Sequence, residues 1–504
     1  MNSPNLSPHL PLLTKLQAAL SGSEVYLVGG AVRDILLGRV THDMDFVTSA
    51  GGTSTARRAA DALRGAYFPL DEERDTGRVV LIGAGGERQV LDFSALRGPD
   101  LESDLRARDF TVNAMALSLN NLQRLIDPLG GASDLVNRRL RLCSPGAFQD
   151  DPLRTLRAVR MASTFKLTME AQTRQALEPA VPGLARVSPE RLRDELFKIL
   201  DGSHPHISLK VLERTGALPY VLPELPALRG VSQSPPHVLD VWEHTLDVLR
   251  HLETLLSVLQ PVPDAEVSAS LYMGLVSMRL GRYRQELAAH LATPLNTDRG
   301  LRPLLFLAAL YHDAAKPQTR REEPGGRVRF YEHDEIGAGI AQARGRALRL
   351  SSAECERLKI IVRHHMRPLL LAQNDQGPSR RAIYRFFRDT GPAGVDIALL
   401  SLADVRATYG QTLTNEVWSR QLDVVRILLE SWWERQEESV SPPALLSGHE
   451  IMLFLEIKPG PEVGEWVEAL REAQATGQVS EKEEAYAFLR SRAAGAEKPD
   501  GKAG

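Results

Sequence analysis

Residues 26–47 read YLVGGAVRDILLGRVTHDMDFV, and this stretch decides the fold. An apolar run ends in Gly29 and Gly30, a short helix opens at Ala31, and the apolar strand that follows carries Asp43 and Asp45 one residue apart. Strand side chains alternate faces with a period of two, so the two carboxylates share one face. Two carboxylates on one strand face, behind a Gly-Gly turn, suit a hard divalent cation that also carries phosphate oxygens, and Mg²⁺ is the natural choice. The glycines let backbone N–H groups come close to a phosphate, and Arg33, one turn into the helix and followed by Asp34, adds charge-assisted hydrogen bonds.

Around this stretch the chain has an ordinary composition. Its 504 residues are 43% hydrophobic and 25% charged, which implies three or four globular units. A net charge of -3 excludes a global basic field, so any nucleic-acid surface must be local. Cys143 and Cys355 stand far apart without metal-ligand spacing, and neither a signal peptide nor an 18-residue apolar run occurs, so a cytoplasmic protein without membrane partners is expected. Up to about Leu142 short apolar runs (VYLVGG, MDFV, RVVLIG, RQVLDF) alternate with stretches expected to be helical (TARRAADAL, FTVNAMALSL). Beyond Pro145 nearly everything is helix-periodic and punctuated by Pro and Gly. The expected fold class is therefore α+β: a mixed-sheet head at 1–145, a helical neck at 146–205, a helical body at 206–410, a helical tail at 411–495, and a disordered end at 496–504.

With these motifs in this order, the chain resembles the DNA polymerase β-like nucleotidyltransferases, specifically the bacterial branch of tRNA nucleotidyltransferases and poly(A) polymerases. DLRARDFTVNAMAL resembles the ribose-reading motif, with Arg108 and Asp109 as its polar pair. IDPLGGASDLVNRRLR resembles the hinge, DDPLRTLRAVRMA the base-reading helix, and VSPERLRDELFKIL the motif that stabilises the neck. Residues 445–485 resemble the tail of longer tRNA nucleotidyltransferases, which implies a tRNA-binding role. The resemblance implies catalytic metal binding by Asp43 and Asp45, with Asp92 of RQVLDFSALRG as the candidate third carboxylate. It also implies nucleotide binding by Gly29, Gly30, Arg33, Asp34, Arg108, Asp109, Asp151, Arg154, Arg157 and Arg160. Six arginines lie between Asn137 and Arg160 against two acids, a local basic surface in which Arg138, Arg139 and Arg141 are expected to bind RNA.

Asp151 and Arg154 are three apart on an expected helix and would share a face. A carboxylate only accepts hydrogen bonds and a guanidinium only donates them. Cytosine and adenine both present an exocyclic amino donor beside a ring-nitrogen acceptor, and uracil and guanine present the reverse, so an Asp/Arg pair selects C and A. Where the family usually has Glu before this Asp, the chain has Asp150.

Two features narrow the branch. A poly(A) polymerase would carry an arginine-rich run after the D-x-D strand, where this chain reads AYFPLDEERDTGRVVL. Enzymes of the family that add the full CCA carry a flexible loop, thought to act as a lever, before the ribose motif; here only GPDLES separates Arg97 from Asp104. The reading is a tRNA 3′-end enzyme that adds CC from CTP, with a full CCA enzyme, which would also use ATP, as the alternative. CC-only addition implies a separate A-adding enzyme acting in sequence.

The body holds VWEHTLDVL, LAALYHDAAKP, FYEHDEIGA, IVRHHMRP and SLADVRA. These resemble the HD metal-dependent phosphohydrolase pattern, with His244, His312, Asp313 and Asp404 as core ligands. His333, His364 and His365 would then hold a second metal or phosphate, and Lys316 would bind phosphate. Such a site suits Mg²⁺, Mn²⁺, Ni²⁺ or Co²⁺ and hydrolysis of a 2′-phosphate or 2′,3′-cyclic phosphate on an RNA end. The reading of a different class is a phosphohydrolase whose head is an inactive RNA-binding module.

Overall fold

Asp43 and Asp45 lie on a strand that is central in a seven-stranded mixed sheet of a computed structural model of the chain. The structure describes residues 6–73, 75–83, 88–296, 299–374 and 376–496; the expected disordered end, from 497 on, lies outside the described residues. The sheet strands are β1 (Val25–Val28), β2 (Asp43–Thr48), β3 (Ala66–Asp71), β4 (Thr76–Ile82), β5 (Arg88–Ala95), β6 (Ala116–Ser118) and β7 (Asn121–Ile126). Their order is β3-β4-β5-β2-β1-β6-β7, with β2 and β5 parallel and the other neighbours antiparallel.

Alternation along β2 builds the two faces. Met44 and Phe46 enter the main head core, where Phe46 stacks on Phe93 of β5 with centroids 4.8 Å apart, among Leu27, Val32, Ala56 and Leu117. Val47 faces the other way into a smaller cluster with Val28, Leu105, Ala114 and Ala116. Asp43 and Asp45 share the parity of Val47, so they extend this second face beyond its apolar part.

FTVNAMALSL is not a helix. Thr111–Asn113 forms a single 3₁₀ turn and Ala116–Ser118 is β6, paired to β1. Ala114, Met115, Ala116 and Leu117 are all buried, so the stretch is an apolar strand covered on both faces rather than the stripe of an amphipathic helix.

The chain divides into two units, 1–195 with 211–220, and 196–210 with 221–504. In the second, the helices Val241–Leu259, Leu301–Tyr311, His333–Ala347, Ser352–His364 and Ala393–Tyr409 pack around one another. Among the described residues two short ribbons interrupt the helices, and EEPGG forms the turn of the one pairing Arg320–Glu322 with Val328–Phe330. Leu446, Ile451, Leu470, Val479 and Leu489 form a separate small core in the C-terminal helices. Among the described residues no helix is long and apolar enough to cross a membrane.

Candidate active and metal sites

The head site begins at the glycine turn. Gly29 has φ 75°, a left-handed conformation suited to glycine, and caps the helix Gly30–Leu36. A β-carbon on Gly29 would lie 3.1 Å from Arg108 Nη1 and 3.5 Å from Asp45 Oδ2, so the turn, Arg108 and the D-x-D strand meet at one point.

The pairing of β2 with β5 sets Asp45 opposite Asp92, and that of β4 with β5 sets Arg78 opposite Asp92, all on the face of Asp43. Arg78 forks onto Asp92, Nε to Oδ1 at 2.8 Å and Nη2 to Oδ2 at 2.8 Å, which occupies both Asp92 oxygens. Arg108 forks onto Asp104 instead, and among the described residues neither Asp43 nor Asp45 forms an ion pair. The chain packed around Asp45 raises its carboxyl above the usual range although the residue is exposed. Arg108 opposes this shift, and the Asp92 and Asp43 carboxylates reinforce it. Unneutralised carboxylates on one face are the donor set a divalent cation fits.

Arg33 points inward. It pairs with Asp34 (Nε to Oδ1 and Nη2 to Oδ2, both 3.0 Å), donates to Asn113 Oδ1 at 2.5 Å and lies 4.1 Å from the Phe165 ring centroid. Asp109 is buried and accepts from the Phe110 N–H at 2.7 Å, Asn113 Nδ2 at 3.1 Å and Arg157 Nη1 at 2.9 Å. Burial alone would raise its carboxyl, but Arg157 and these donors hold it below the usual range.

Asp151 is not on the base-reading helix, which spans Arg154–Thr164. Its backbone is extended (φ -148°, ψ 98°), because the following Pro152 excludes the helical region at Asp151. The i,i+3 relation is that of a turn, in which Arg154 N–H donates to Asp151 O at 3.0 Å. The two side chains do not bond each other: Asp151 Oδ2 accepts from Arg191 at 2.7 Å, and Arg154 donates to the carbonyls of Ala107 (2.9 Å) and Ala147 (3.2 Å).

Arg157 and Arg160 converge on buried Glu195, at 3.9 and 2.5 Å. Arg157 thus joins Asp109 of the ribose motif to Glu195 of VSPERLRDELFKIL. Glu195→Ala leaves two arginines without their shared carboxylate, and chemical denaturation should show a loss of about 2–3 kcal/mol. Arg141 pairs with Asp134 at 2.8 Å, and Arg138 and Arg139 are exposed.

The second constellation lies wholly in the second unit. His244, on Val241–Leu259, reaches Asp404 of Ala393–Tyr409 (3.2 Å) and Asp313 (3.7 Å). His312 Nε2 lies 3.1 Å from Asp313 Oδ2, and His333 Nε2 and His365 Nε2 lie 3.6 and 3.9 Å from Asp313 Oδ1. The two groups His244–His312–Asp313 and Asp313–His333–His365 each keep their ligand atoms within 4.8 Å, and Asp313 is common to both. His312, His333 and His365 place Nδ1 2.7, 2.9 and 2.7 Å from the carbonyls of Ala309, Phe330 and Val362. A carbonyl can only accept, so Nδ1 carries a proton in each ring, and it is Nε2 that faces Asp313. His333 Nε2 and His365 Nε2 are buried without a hydrogen-bond partner. Burial, with His312 and His333, pushes His365 down to about 4, which keeps it in the neutral form that ligates metals.

His364 stands apart from this cluster: successive residues of a helix diverge by about 100°, so with His365 inward His364 turns away, half-buried, beside Arg367. Lys316 is tied to Asp313 Oδ2 at 2.7 Å and to Gln233 Oε1 at 2.6 Å. Asp313, Lys316, His333 and Asp404 open into a cavity of about 570 Å³ also lined by His237 and Arg329.

Arg78, Asp104, Asn113, Asp134, Arg191, Glu195 and Gln233 are partners that the sequence does not single out. For Glu195 a signal existed, an acid on the inward phase of an amphipathic helix; Arg78 and Arg191 give none before strand order and helix placement are known.

Comparison with known proteins completes this picture. Residues 25–141 match the Poly A polymerase head domain, 166–228 the Probable RNA and SrmB- binding site of polymerase A, and 241–407 the HD domain. The chain is 37% identical to an A-adding tRNA nucleotidyltransferase of Deinococcus radiodurans, over 92% of this chain and 94% of the relative. The chain belongs to the tRNA nucleotidyltransferase family. Two further tRNA nucleotidyltransferases, named CC-adding, are 36% identical (Thermus thermophilus; 92% of this chain, 93% of the relative) and 33% identical (Geobacter sulfurreducens; 96% and 95%). The fold is that of solved CCA-adding enzymes: an apo form matches with TM-score 0.60 at 21% identity (99% of this chain, 96% of the other), and the Thermotoga maritima enzyme complexed with tRNA with 0.54 at 21% (97% and 96%). As a tRNA nucleotidyltransferase the chain is an enzyme with a mixed-sheet head and a helical HD body.

Proposed function

We propose that this enzyme adds CC, from CTP, to the discriminator base at the 3′ end of tRNA in the cytoplasm. The head at 1–145 and neck at 146–205 carry the reaction, and the tail at 411–495 carries tRNA. The carrying observation is the connection between β5, ending at Ala95, and the helix Leu101–Arg106, which spans only residues 96–100. That is too short for the lever found in full CCA enzymes of the family.

Asp43 and Asp45 would hold Mg²⁺, which when bound supplies Lewis-acid stabilisation of phosphate charge. Backbone N–H groups of the Gly29–Gly30 turn and the Arg108 guanidinium face the triphosphate. The tRNA 3′-hydroxyl gives up its proton to solvent as its oxygen bonds to the α-phosphorus, the α–β phosphoanhydride breaks, and pyrophosphate leaves. Asp109, fixed by Arg157 and Asn113, lies behind the ribose. Arg154 donates to the ring nitrogen of cytosine, and Asp151, released from Arg191, accepts from its amino group. Arg138, Arg139 and Arg141 meet the RNA backbone.

The Deinococcus relative favours a second reading, addition of A to a tRNA that already ends in CC. Supplying each of the four nucleotides singly to a tRNA ending at the discriminator base tests the choice. The CC reading expects incorporation of C alone, with UTP and GTP rejected at least about 100-fold; no incorporation there, with A entering a CC-ended tRNA, supports the second reading instead.

The HD cluster supports an additional activity, metal-dependent hydrolysis of a 2′-phosphate or 2′,3′-cyclic phosphate on an RNA end. His244, His312, Asp313 and Asp404 would hold one divalent ion, Mg²⁺, Mn²⁺, Ni²⁺ or Co²⁺, with His333 and His365 beside it. The buried, unpartnered Nε2 atoms of His333 and His365 are the observation that favours it.

A further inference from the structure

Residues 96–100 are tied down at both ends. Asp100 caps the helix Leu101–Arg106 by accepting from Ser103 N–H at 2.8 Å, and the Arg97 N–H donates to Asp104 Oδ1 at 3.1 Å. The other oxygen of Asp104 accepts from Arg108 Nε at 3.0 Å and Nη2 at 2.9 Å. The Asp104 side chain is fully buried, 0% exposed, and that of Arg108 is 14% exposed. The carbonyls immediately after this helix, of Ala107 and Arg108, accept from Arg154 Nη2 and Nη1 at 2.9 and 3.5 Å. Hydrogen bonds thus run from the short connection, through one buried carboxylate, to the side chain of Arg108, and from the backbone of Ala107 and Arg108 to the arginine assigned to the base, the covalent body of Arg108 joining the two sets.

We propose that Asp104 is a positioning residue that couples the 96–100 connection to Arg154 and thereby sets which base is selected; this rests on Arg154 reading the base. Arg154 is clamped between two segments, the carbonyls of residues 107–108 on one side and that of Ala147 on the other. Its remaining N–H donors point wherever these acceptors allow, because a guanidinium is planar and its donors are fixed relative to one another. A shift of 107–108 relative to 147 re-aims them. Asp104 opposes that shift by holding Arg97 N–H and Arg108 together, so the arginine keeps one setting and the enzyme one base. Connection length and base choice are then linked through a single side chain.

The test uses the full chain and one acceptor tRNA, and reads kcat/KM separately for CTP and ATP. Asp104→Asn keeps the shape of the side chain and removes the charge from its bonds. In a second variant a Gly-Gly pair is inserted between Gly98 and Pro99, which slackens the connection and leaves Asp104 in place. Both are expected to move the CTP/ATP ratio by about tenfold toward the base the wild type rejects. A ratio unchanged in both, with the two rates falling in parallel or not at all, overturns the coupling and leaves Asp104 as a structural anchor of Arg108. Arg154→Lys, run beside them, separates the two failures. If it shifts the ratio while the other variants do not, only the coupling falls; if it too leaves the ratio unchanged, the base-reading assignment falls.

Discussion

Asp43→Asn combined with Asp45→Asn is expected to lower nucleotide addition to tRNA at least about 1000-fold while leaving the thermal midpoint unchanged or slightly raised. The asymmetry follows from the surroundings of the two side chains. Neither carboxylate closes an ion pair, and Asp45 is already disfavoured by the chain around it and by Asp92 and Asp43, so the folded state loses nothing when their charge goes. The reaction, in contrast, loses the groups that would hold the cation against the triphosphate. Incorporation of labelled CTP, beside a melting curve, checks both halves. Addition that survives within tenfold would remove the metal assignment and turn attention to Asp92. Asp92→Asn should behave differently, because that carboxylate neutralises Arg78: a loss of stability is expected along with any loss of rate.

The second large effect concerns Asp313, the residue shared by both ligand groups. Asp313→Asn should weaken binding of Mn²⁺ or Ni²⁺ to the body at least about 100-fold, as read by calorimetric titration, and abolish any phosphohydrolase activity. Nucleotide addition should stay within about twofold, since every residue assigned to it lies outside the helices that carry this cluster. The substitution also removes the counter-charge of Lys316, buried and 2.7 Å from the carboxylate, so His365→Ala serves as a companion that removes a ligand without that side effect. Unchanged metal affinity in both variants would make the cluster a buried polar network with no ion to hold. Loss of nucleotide addition in step with metal binding would place the two sites under one requirement, contrary to this account.

The head was legible where one period governs. GGAVRD followed by DMD announces strand, glycine turn, helix and strand, and the shared face of Asp43 and Asp45 follows from a repeat of two. FTVNAMALSL was misread because an apolar run covered on both sides has no period to display, and its neighbour β1 lies far away in sequence. Asp92 was found as a carboxylate, but its engagement by Arg78 depends on β4 lying beside β5. Asp151 could have been placed correctly from the sequence alone, since Pro152 bars it from the helix. In the body, His312 and Asp313 stood out by adjacency, whereas the choice between His364 and His365 depends on helix phase at a C-terminus, where one residue turns the side chain by about 100°. The partners Arg191 and Glu195 lie on a helix about 40 residues from those they hold, a distance over which the sequence shows amphipathicity and not docking.

The most direct measurement supplies CTP and ATP together to a tRNA ending at the discriminator base and resolves the product to single nucleotides. A short 96–100 connection and an arginine clamped in one setting predict a ladder that stops after two cytidines, with ATP present and unused. Growth to a full CCA end would contradict the account, showing that the reader re-aims without a long lever.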